Sequence, residues 1–445
     1  MKICISVRAI ATLGAMLIVI QGCGGSGSEP STSTPAQATP TAVPTLQAPT
    51  PTPAPPPAPP SASPPSGPLF AWVYQGEVRR GSADVTTFAL PDGTYRQLWS
   101  EGNEVAASSR DGLRWTSEGS AGFPPGIVGG RVMRLRDGRY RFYTGINNLR
   151  VLTSSDGRTW QEEPSSTIKA PEPGCTGCYF SLGDVAIMPD GSYRMLYEHR
   201  TPSALLPGTG INPRIHSATS SDGLVWQVDS AWNSNFFVDP SAPYFPGPGP
   251  GATHPRVVTL ADGTYKLFCW SGYAILSATS RDGQTWTNRK LEDVFGADPD
   301  VLMLPDGRIV LFVDWLDDSQ PPSPTRQYLW SYVWQQVPFA FPTPAPAFIS
   351  MRTGESQSSD FTLTGNPGSN VRFTATVYST AGIYAAGAPG SPVQIQLTAA
   401  PGSTSVRLSI AGSRASFGGV IITADDGTTR VSSVVPFSIA AAGSR

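Results

Sequence analysis

The sequence predicts an all-β fold, a five-bladed β-propeller followed by a C-terminal immunoglobulin-like β-sandwich. Two short phrases that recur along the middle of the chain favour the propeller. A hairpin signal that repeats every few tens of residues is typical of a propeller, in which each repeat forms one blade. Short runs of alternating apolar and polar residues after the last repeat favour the sandwich.

Residues 1–22 have the features of a signal peptide. Lys2 and Arg8 give a positive start, and an apolar segment from 9 to 20 follows. The sequence Ile20-Gln21-Gly22-Cys23 then resembles the lipobox of bacterial lipoproteins, in which the cysteine becomes the first mature residue and carries the lipid. We therefore expect lipidation at Cys23 and an extracytoplasmic protein that is held on the membrane by lipid alone. An ordinary secretory signal is the alternative.

Residues 23–68 are predicted to form a stalk. The segment is dense in proline, threonine, serine and alanine, and no charged residue occurs between positions 31 and 75. Such a composition cannot bury a core, and its prolines favour an extended chain. We expect a tether between the lipid and a folded part that acts as a monomer.

Residues 69–338 contain the repeats that predict the propeller. The first phrase, Asp-Gly followed two residues later by Tyr or Ile, occurs five times, and the second, Ser-x-Asp-Gly-x-x-Trp, occurs four times. Asp-Gly is a strong hairpin signal because glycine adopts positive φ and aspartate bonds the amides of its own turn. Each repeat therefore predicts strand A, an Asp-Gly turn, strand B, a loop, strand C, a second Asp-Gly turn and strand D.

The fifth repeat lacks the second phrase and, with it, a fourth strand. The segment Phe70-Ala71-Trp72-Val73-Tyr74 precedes the first repeat and is apolar and aromatic, as a buried strand would be. We expect it to supply the missing strand, because this closes the ring and removes two open sheet edges.

Residues 339–348 are predicted to be a proline-rich linker, and residues 349–445 a β-sandwich accessory domain. The C-terminal segment contains no tryptophan and lacks the Cys…Trp…Cys pattern of antibody domains. An immunoglobulin-like module is the prediction and a carbohydrate-binding module the alternative.

The net charge and the aromatic content restrict the kinds of ligand that we expect the chain to bind. The net charge is −2, which argues against nucleic acid as a ligand, since that requires a basic face. Eleven tryptophans and fourteen tyrosines suit a glycan or polysaccharide surface, although the second phrases account for four of the tryptophans.

Cys175 and Cys178 are expected to form a local disulfide, because no second cysteine pair completes a metal site. Cys269 is expected to be a buried free thiol.

Residues just before strand A of every blade should converge at one mouth of the central channel. Six positions before the first-phrase aspartates lie Thr86, Arg131, Asp184, Arg256 and Asp300, and eight positions before them lie Asp84, Gly129, Leu182, His254 and Asp298. The ends of strand B add Glu198, Trp270 and Asp314-Trp315. Charges in a narrow channel are costly unless they pair or bind something, so this mouth is the candidate site. For each aspartate, a salt bridge to Arg131 or Arg256 is the alternative.

The second phrases resemble the Asp-boxes of sialidases and related bacterial repeat proteins. The five predicted blades, with Thr253-His254-Pro255-Arg256 and Ala297-Asp298-Pro299-Asp300 opening strand A, resemble the arabinanase, xylosidase and fructosidase clan of glycoside hydrolases over about residues 70–335. The clan resemblance implies three catalytic carboxylates. Asp84 matches the base or nucleophile, and Asp184 the aspartate that tunes the acid. No glutamate stands at the acid's position in blade four, and Glu198 is the nearest substitute.

The predicted function is therefore a glycoside hydrolase-like propeller that acts on or recognises extracellular glycans. The candidate catalytic residues are Asp84, Asp184, Glu198, Asp298 and Asp300, and the candidate substrate-binding residues are Arg131, His254, Arg256, Trp270 and Trp315. No cofactor or metal site is expected, although the clan resemblance leaves room for a calcium ion in the channel; lone histidines such as His199, His216 and His254 are more often structural. One alternative is a non-catalytic glycan- or protein-binding propeller. The other is a sialidase-like exo-glycosidase, for which the resemblance implies that Arg131, Arg214 and Arg256 bind a carboxylate and that the neighbours Tyr197 and Glu198 form the nucleophile pair.

Overall fold

The protein is described by a computed structural model over residues 68–441, except residues 82, 101–104, 125–126, 128, 146–148, 165–166, 169–178, 203–210, 230–251, 272–273, 317–326, 342–348, 369, 380–381 and 386–390. Every regular element in this part of the chain is a β-strand, so the predicted all-β class is confirmed. Among these residues no helix is long and apolar enough to cross a membrane. The predictions for Cys23, Cys175 and Cys178 lie outside the described residues.

Five antiparallel four-stranded sheets, here called blades one to five, follow one another along the chain. Blade one contains β2 (Ala83–Ala89), β3 (Tyr95–Ser100), β4 (Val105–Ser109) and β5 (Thr116–Ser120), and blade two contains β6 (Gly130–Arg134), β7 (Tyr140–Thr144), β8 (Arg150–Ser154) and β9 (Gln161–Glu162). Blade three contains β11 (Tyr179–Ile187), β12 (Tyr193–Pro202), β13 (Ile211–Ser220) and β14 (Val225–Val228), with β10 (Thr167–Ile168) added in parallel beside β14. Blade four contains β15 (Thr253–Thr259), β16 (Tyr265–Ser271), β17 (Ala274–Ser280) and β18 (Thr287–Phe295). Blade five contains β19 (Ala297–Met303), β20 (Ile309–Leu316), β21 (Gln327–Val337) and β1 (Leu69–Arg80).

The first strands of the blades contact one another in a closed cycle. β2 contacts β6, β6 contacts β11, β11 contacts β15, β15 contacts β19, and β19 returns to β2. Strand β1 pairs with β21 from Leu69↔Val337 to Arg80↔Tyr328, so the segment before the first repeat does supply the fourth strand of blade five. The ring is therefore closed by joining the two ends of the repeat region in one sheet.

The repeated phrases form hairpin turns with the expected chemistry. In all four second-phrase turns the glycine N–H donates to the serine Oγ at 2.8 Å, and the aspartate Oδ1 accepts two further amide hydrogen bonds. These glycines have φ between 68° and 75°, the left-handed region that glycine enters without steric cost. At Gly157 a Cβ atom would lie 2.7 Å from the Leu90 side chain of blade one, so close packing adds to the backbone requirement.

The tryptophan that ends each second phrase packs against the preceding blade. Such aromatic contacts bury large areas and fix the angle between neighbouring sheets. The ring pairs are Trp160 with Phe88 at 6.4 Å, Trp226 with Tyr143 at 5.9 Å and Trp115 with Phe312 at 5.9 Å, while Trp286 shares a cluster with Met188 of blade three. Because Trp115 of blade one contacts blade five, this series of contacts also closes around the ring.

The C-terminal strands form two further layers over one hydrophobic core. One layer contains β24 (Ser356–Thr362), β29 (Ser405–Gly412) and β28 (Val393–Thr398), and the other contains β31 (Arg430–Ala440), β30 (Ser416–Asp425), β26 (Arg372–Ser379) and β27 (Gly382–Ala385), with β23 (Ile349–Arg352) parallel to β31. Between them, β22 (Phe339–Ala340) pairs with β25 (Thr364–Gly365). The immunoglobulin-like character of this part stays a prediction.

The C-terminal sheet is continuous with blade five. Strand β31 pairs with β1 at Val73↔Val431, so the two parts share one nine-stranded sheet. Phe339 and Phe341 are buried in the C-terminal core. The predicted linker therefore begins as a buried strand, because its two phenylalanines have an apolar surface that the neighbouring layers cover.

Removal of one interblade tryptophan should measure how far these contacts hold the ring together. We expect Trp160→Ala to lower the free energy of unfolding by about 3–5 kcal/mol, because it leaves a cavity between blades one and two. Trp160→Phe keeps an aromatic ring there and should lose less. Urea denaturation followed by fluorescence measures both; an alanine variant as stable as the wild type would contradict the packing role.

Candidate functional site

The inner strands share an irregularity at the end where they enter the channel. The register of pairing with the next strand shifts between Ala83 and Thr86 in β2, and it shifts at the matching positions of β11, β15 and β19. A bulge of this kind turns a side chain away from the sheet's regular alternation. The same device therefore points side chains from several blades at one mouth of the channel.

Three non-glycine residues inside these bulges adopt the left-handed conformation. Asp84, His254 and Asp298 have φ values of 52°, 48° and 47°, and Gly129 holds the same place in blade two with φ of 48°. A non-glycine residue in this region costs on the order of 1–3 kcal/mol and persists where its surroundings fix it, which is common at functional sites. This backbone strain could not be predicted from the sequence, although the spacing did place the four residues at equivalent positions.

His254 is the centre of a cluster of carboxylates, here called the mouth cluster (Asp84, Glu198, His254, Asp298 and Asp314). Its Nδ1 lies 2.9 Å from Asp298 Oδ1 and 3.7 Å from Glu198 Oε2, and its Nε2 lies 3.9 Å from Asp84 Oδ1. The Asp84 side chain is 41% exposed, whereas that of Glu198 is fully buried. Asp84 is thus the carboxylate of these three that is most open to solvent.

Trp270 holds the imidazole and one carboxylate in place. Its indole N–H donates to Asp298 Oδ1 at 2.9 Å and lies 3.1 Å from His254 Nδ1. The indole and imidazole rings are stacked at a centroid distance of 6.1 Å. Trp270 is therefore at the mouth as predicted, with its N–H engaged by the mouth cluster.

The surroundings of Asp298 and Asp314 shift the pKa values of the two carboxyl groups in opposite directions. Burial acts to raise the pKa of Asp298, but the adjacent His254 and the Trp270 N–H stabilise the carboxylate, so its pKa lies below the usual range. Burial, together with the charges of Asp298 and Asp84, raises the pKa of Asp314 well above its usual value. Asp314 Oδ2 accepts the Asp84 backbone N–H at 3.2 Å, whereas its buried Oδ1 has no hydrogen-bond partner among the described residues.

Asp314 was missing from the predicted catalytic set. Its position was visible, because the sequence placed Asp314 at the end of strand B, where Glu198 stands in blade three. The pairing confirms the equivalence: Asp314 lies opposite Ala297, and Glu198 lies opposite Ser181. The sequence did not reveal that Asp84 and Asp298 lie close enough to Asp314 for their charges to raise its pKa.

Asp184 and Asp300 form salt bridges with Arg256, which is the alternative to a ligand-binding role that the sequence left open. Arg256 lies between them, with its Nη1 2.7 Å from Asp184 Oδ2 and its Nε 2.7 Å from Asp300 Oδ1, and all three side chains are buried. The structure therefore favours the salt-bridge alternative for these two aspartates, because both are buried and share the single guanidinium group of Arg256. Arg131 is likewise buried and donates to the Val85 carbonyl at 2.8 Å.

The sialidase-like alternative has little support in this geometry. It requires several arginines with guanidinium groups open to a substrate carboxylate, and those of Arg131 and Arg256 are buried and engaged within the protein. The neighbouring Tyr197 and Glu198 are also fully buried. The side chains of Arg214 and Trp315 lie outside the described residues.

Three groups of the mouth cluster, Asp84, His254 and Asp298, are close enough together to be considered as metal ligands. One ligand atom each from Asp84, His254 and Asp298 lie within 4.8 Å of one another. Calcium takes six to eight oxygen ligands, whereas this set offers two carboxylates and an imidazole, and Asp298 Oδ1 already accepts the Trp270 N–H. The described donors do not fit calcium, and the chemistry below uses no metal.

No protein-family model and no curated protein matches the chain. Among solved structures, it is similar to the GH32 β-fructofuranosidase BmSUC1 of Bombyx mori, with 12% identity, a TM-score of 0.46, and coverage of 84% of this chain and 89% of that one. A fructofuranosidase of Schwanniomyces occidentalis is 10% identical with a TM-score of 0.43, covering 82% and 91%. An exo-1,5-α-L-arabinanase from a bovine ruminal metagenomic library is 10% identical with a TM-score of 0.40, covering 57% and 97%. With identities this low and TM-scores below 0.5, we conclude nothing about activity from these similarities.

Proposed function

We propose that this chain is a glycoside hydrolase that acts on extracellular glycans at the mouth cluster. One observation supports this above the others: Asp298 and Asp314 come from adjacent strands of one blade, and their surroundings push their pKa values in opposite directions. Hydrolysis of a glycosidic bond needs one protonated and one ionised carboxyl group near the same bond. Neighbouring groups with separated pKa values are how proteins supply that pair.

In this proposal Asp314 is the general acid. Burial and two negative neighbours raise the pKa of its carboxyl well above the usual value, which favours the protonated form that a general acid needs. Its buried Oδ1 has no hydrogen-bond partner among the described residues, so a proton held there is not shared with another of these protein groups. The Asp84 backbone N–H fixes the carboxyl through Oδ2 and leaves Oδ1 as the donor.

Asp84 is the base or nucleophile. It is the exposed carboxylate of the mouth cluster, and its left-handed backbone directs it away from the sheet's regular alternation. Gly129 leaves room beside it, since a Cβ atom at that position would lie 3.2 Å from Asp84 Oδ2. Asp298, held ionised by His254 and Trp270, would stabilise the positive charge that develops on the sugar ring.

A non-catalytic glycan-binding propeller is the second candidate. Glu198, the nearest substitute for the clan's general acid, and Asp314 are both buried, at 0% and 6% exposure, which favours a mouth that binds a sugar without cleaving it. If Asp314 does not act as the acid, the mouth can still hold a sugar through Asp84 and the edge of Trp270. Binding without product release would then be the observed behaviour.

We also propose that the protein works outside the cytoplasm, attached by a lipid at Cys23. This rests on the lipobox-like sequence and the uncharged, proline-rich stalk that follows it. A glycan too large to enter a cell requires an enzyme displayed outside it, and the stalk predicted for residues 23–68 would hold the enzyme away from the membrane.

Substitution of the proposed acid and base should remove hydrolysis and leave the fold intact. With a panel of aryl glycosides, we expect Asp84→Asn and Asp314→Asn each to lower kcat by about 10²–10⁴-fold, because each removes one proton-transfer or nucleophilic group. Asp262→Asn is the matched control: this aspartate lies in an exposed turn at the opposite end of β15 and accepts a hydrogen bond from the Thr264 amide. It should retain wild-type activity.

Equal activity in all four proteins would rule out the mouth cluster as the active site. If the wild type binds immobilised glycans but releases no product, the non-catalytic alternative replaces the enzyme. Near-ultraviolet circular dichroism of each variant shows whether a loss reflects the chemistry or the fold.

The lipid anchor has its own test, since Cys23→Ala should move the protein from the membrane fraction to the soluble fraction of the producing bacterium. The thermal unfolding transition should not change, because position 23 precedes the strands of the ring. Retention of this variant in the membrane would instead mean that the segment before residue 23 is an uncleaved anchor.

A further inference from the structure

A second concave site lies where blade five meets the C-terminal sheet. It has a volume of about 450 Å³ and is lined by β1 and β21 on one side and by β26, β30 and β31 on the other. Ligand pockets in proteins commonly fall between about 300 and 1,000 Å³. This groove involves the outer strands of the propeller, whereas the mouth cluster lies on the inner ones.

The wall on the C-terminal side is polar because of strand alternation. Ala375 and Val377 of β26 point into the C-terminal core, so Thr374 and Thr376 on the other face line the groove. Strands β30 and β31 alternate in a similar way: Val420, Ile422 and Val431 lie in the core, and the residues that line the groove are polar except for Ile421. The groove face therefore carries Thr374, Thr376, Thr423, Asp425, Arg430 and Ser432.

The wall on the propeller side is aromatic. The Tyr74 ring lies 5.4 Å from the Tyr332 ring and 6.3 Å from the Trp330 ring, which it meets edge-on at 88°. Trp330 in turn meets Tyr378 of β26 at 5.9 Å and 80°. Tyr74 and Trp330 are half-buried, so part of each ring remains open to the groove, whereas Tyr332 and Tyr378 are buried beside them.

The polar groups of the groove suit hydroxyl groups better than they suit a hydrocarbon. Burial raises the pKa of Tyr332 well above its usual value, and burial together with Glu77 raises that of Tyr74, so both phenols remain neutral hydrogen-bond donors. Arg430 and Asp425 form an ion pair at 2.8 Å along the rim. Arg372, opposite Asp425 in the sheet pairing, is exposed and adds a second guanidinium group.

We propose that this groove is a separate binding site for an oligosaccharide. The C–H faces of sugar rings pack on aromatic side chains, and their hydroxyl groups bond to guanidinium, carboxylate and hydroxyl groups; the two walls supply these two kinds of contact. The proposal goes beyond the hydrolytic site and does not depend on it, because the two sites share no residue. An enzyme with a second sugar site would hold a long glycan while the mouth cluster cleaves it.

The test is calorimetric binding of defined hexasaccharides to the full chain carrying Asp84→Asn, so that no substrate is consumed. The probes are cellohexaose, xylohexaose, arabinohexaose and hexagalacturonate. We expect at least one of them to bind, and the double variant Arg372→Ala/Thr374→Ala to weaken that binding at least tenfold. Both side chains are exposed, so this substitution should leave the unfolding temperature unchanged.

Arg407→Ala is the matched control, since Arg407 is an exposed arginine of the other C-terminal sheet and pairs with Asp360 at 2.7 Å. It should not alter binding. Failure of all four hexasaccharides to bind, or binding that the groove variant leaves intact, would overturn the proposal. Hydrolysis of aryl glycosides by Arg372→Ala/Thr374→Ala in a chain that retains Asp84 separates the two sites. This activity should equal that of the wild type. Loss of activity in Asp84→Asn concerns only the mouth cluster.

Discussion

The buried ion pairs of Arg256 with Asp184 and Asp300 are the interaction on which the ring depends. Closing five sheets around a channel brings the first strands of blades three, four and five together, and each contributes a charge that cannot reach water. An unpaired buried charge costs several kcal/mol, and removal of one partner from such a pair commonly costs about 3–5 kcal/mol. Arg256 offers two guanidinium edges to two carboxylates, so one residue from blade four joins the blades on either side of it.

This buried, ion-paired layer is separate from the charges at the mouth. Two residues before Arg256 and Asp300, the bulges turn His254 and Asp298 toward the mouth, where they meet Asp84 and Asp314. The carboxyl groups of the mouth cluster are not all paired with a positive charge. Asp298 is stabilised as an anion by His254 and Trp270, while Asp314 is left with two negative neighbours and an unpaired oxygen. In β15 and β19 the bulge therefore separates a residue of the buried ion pairs from a residue of the mouth cluster two positions away.

The strand pattern and the residues near the mouth were predictable from the sequence. Which of these residues form buried ion pairs and which belong to the mouth cluster was not. The Asp-Gly phrases predicted the hairpins because turn chemistry is local, and the strand missing from blade five predicted the pairing of β1 with β21. Counting back from the turns brought Asp84, His254 and Asp298 to one place. It could not separate Asp184 and Asp300 from them, because whether a carboxylate faces an arginine or the solvent depends on a bulge that the sequence does not mark. The continuity of the C-terminal sheet with blade five was also missed, since the proline-rich segment after Val337 has the composition of an exposed linker.

The central claim is that the mouth cluster holds one carboxyl protonated beside one that is ionised. The most direct measurement is the pH titration of aspartate carboxyl ¹³C resonances by NMR, with Asp314→Asn and Asp298→Asn used to assign the two signals. The account predicts that the Asp314 signal titrates well above the ordinary aspartate pKa of about 3.9 and that the Asp298 signal titrates below it. If both carboxyls titrate together near that ordinary value, the mouth does not separate an acid from an anion, and the account is contradicted.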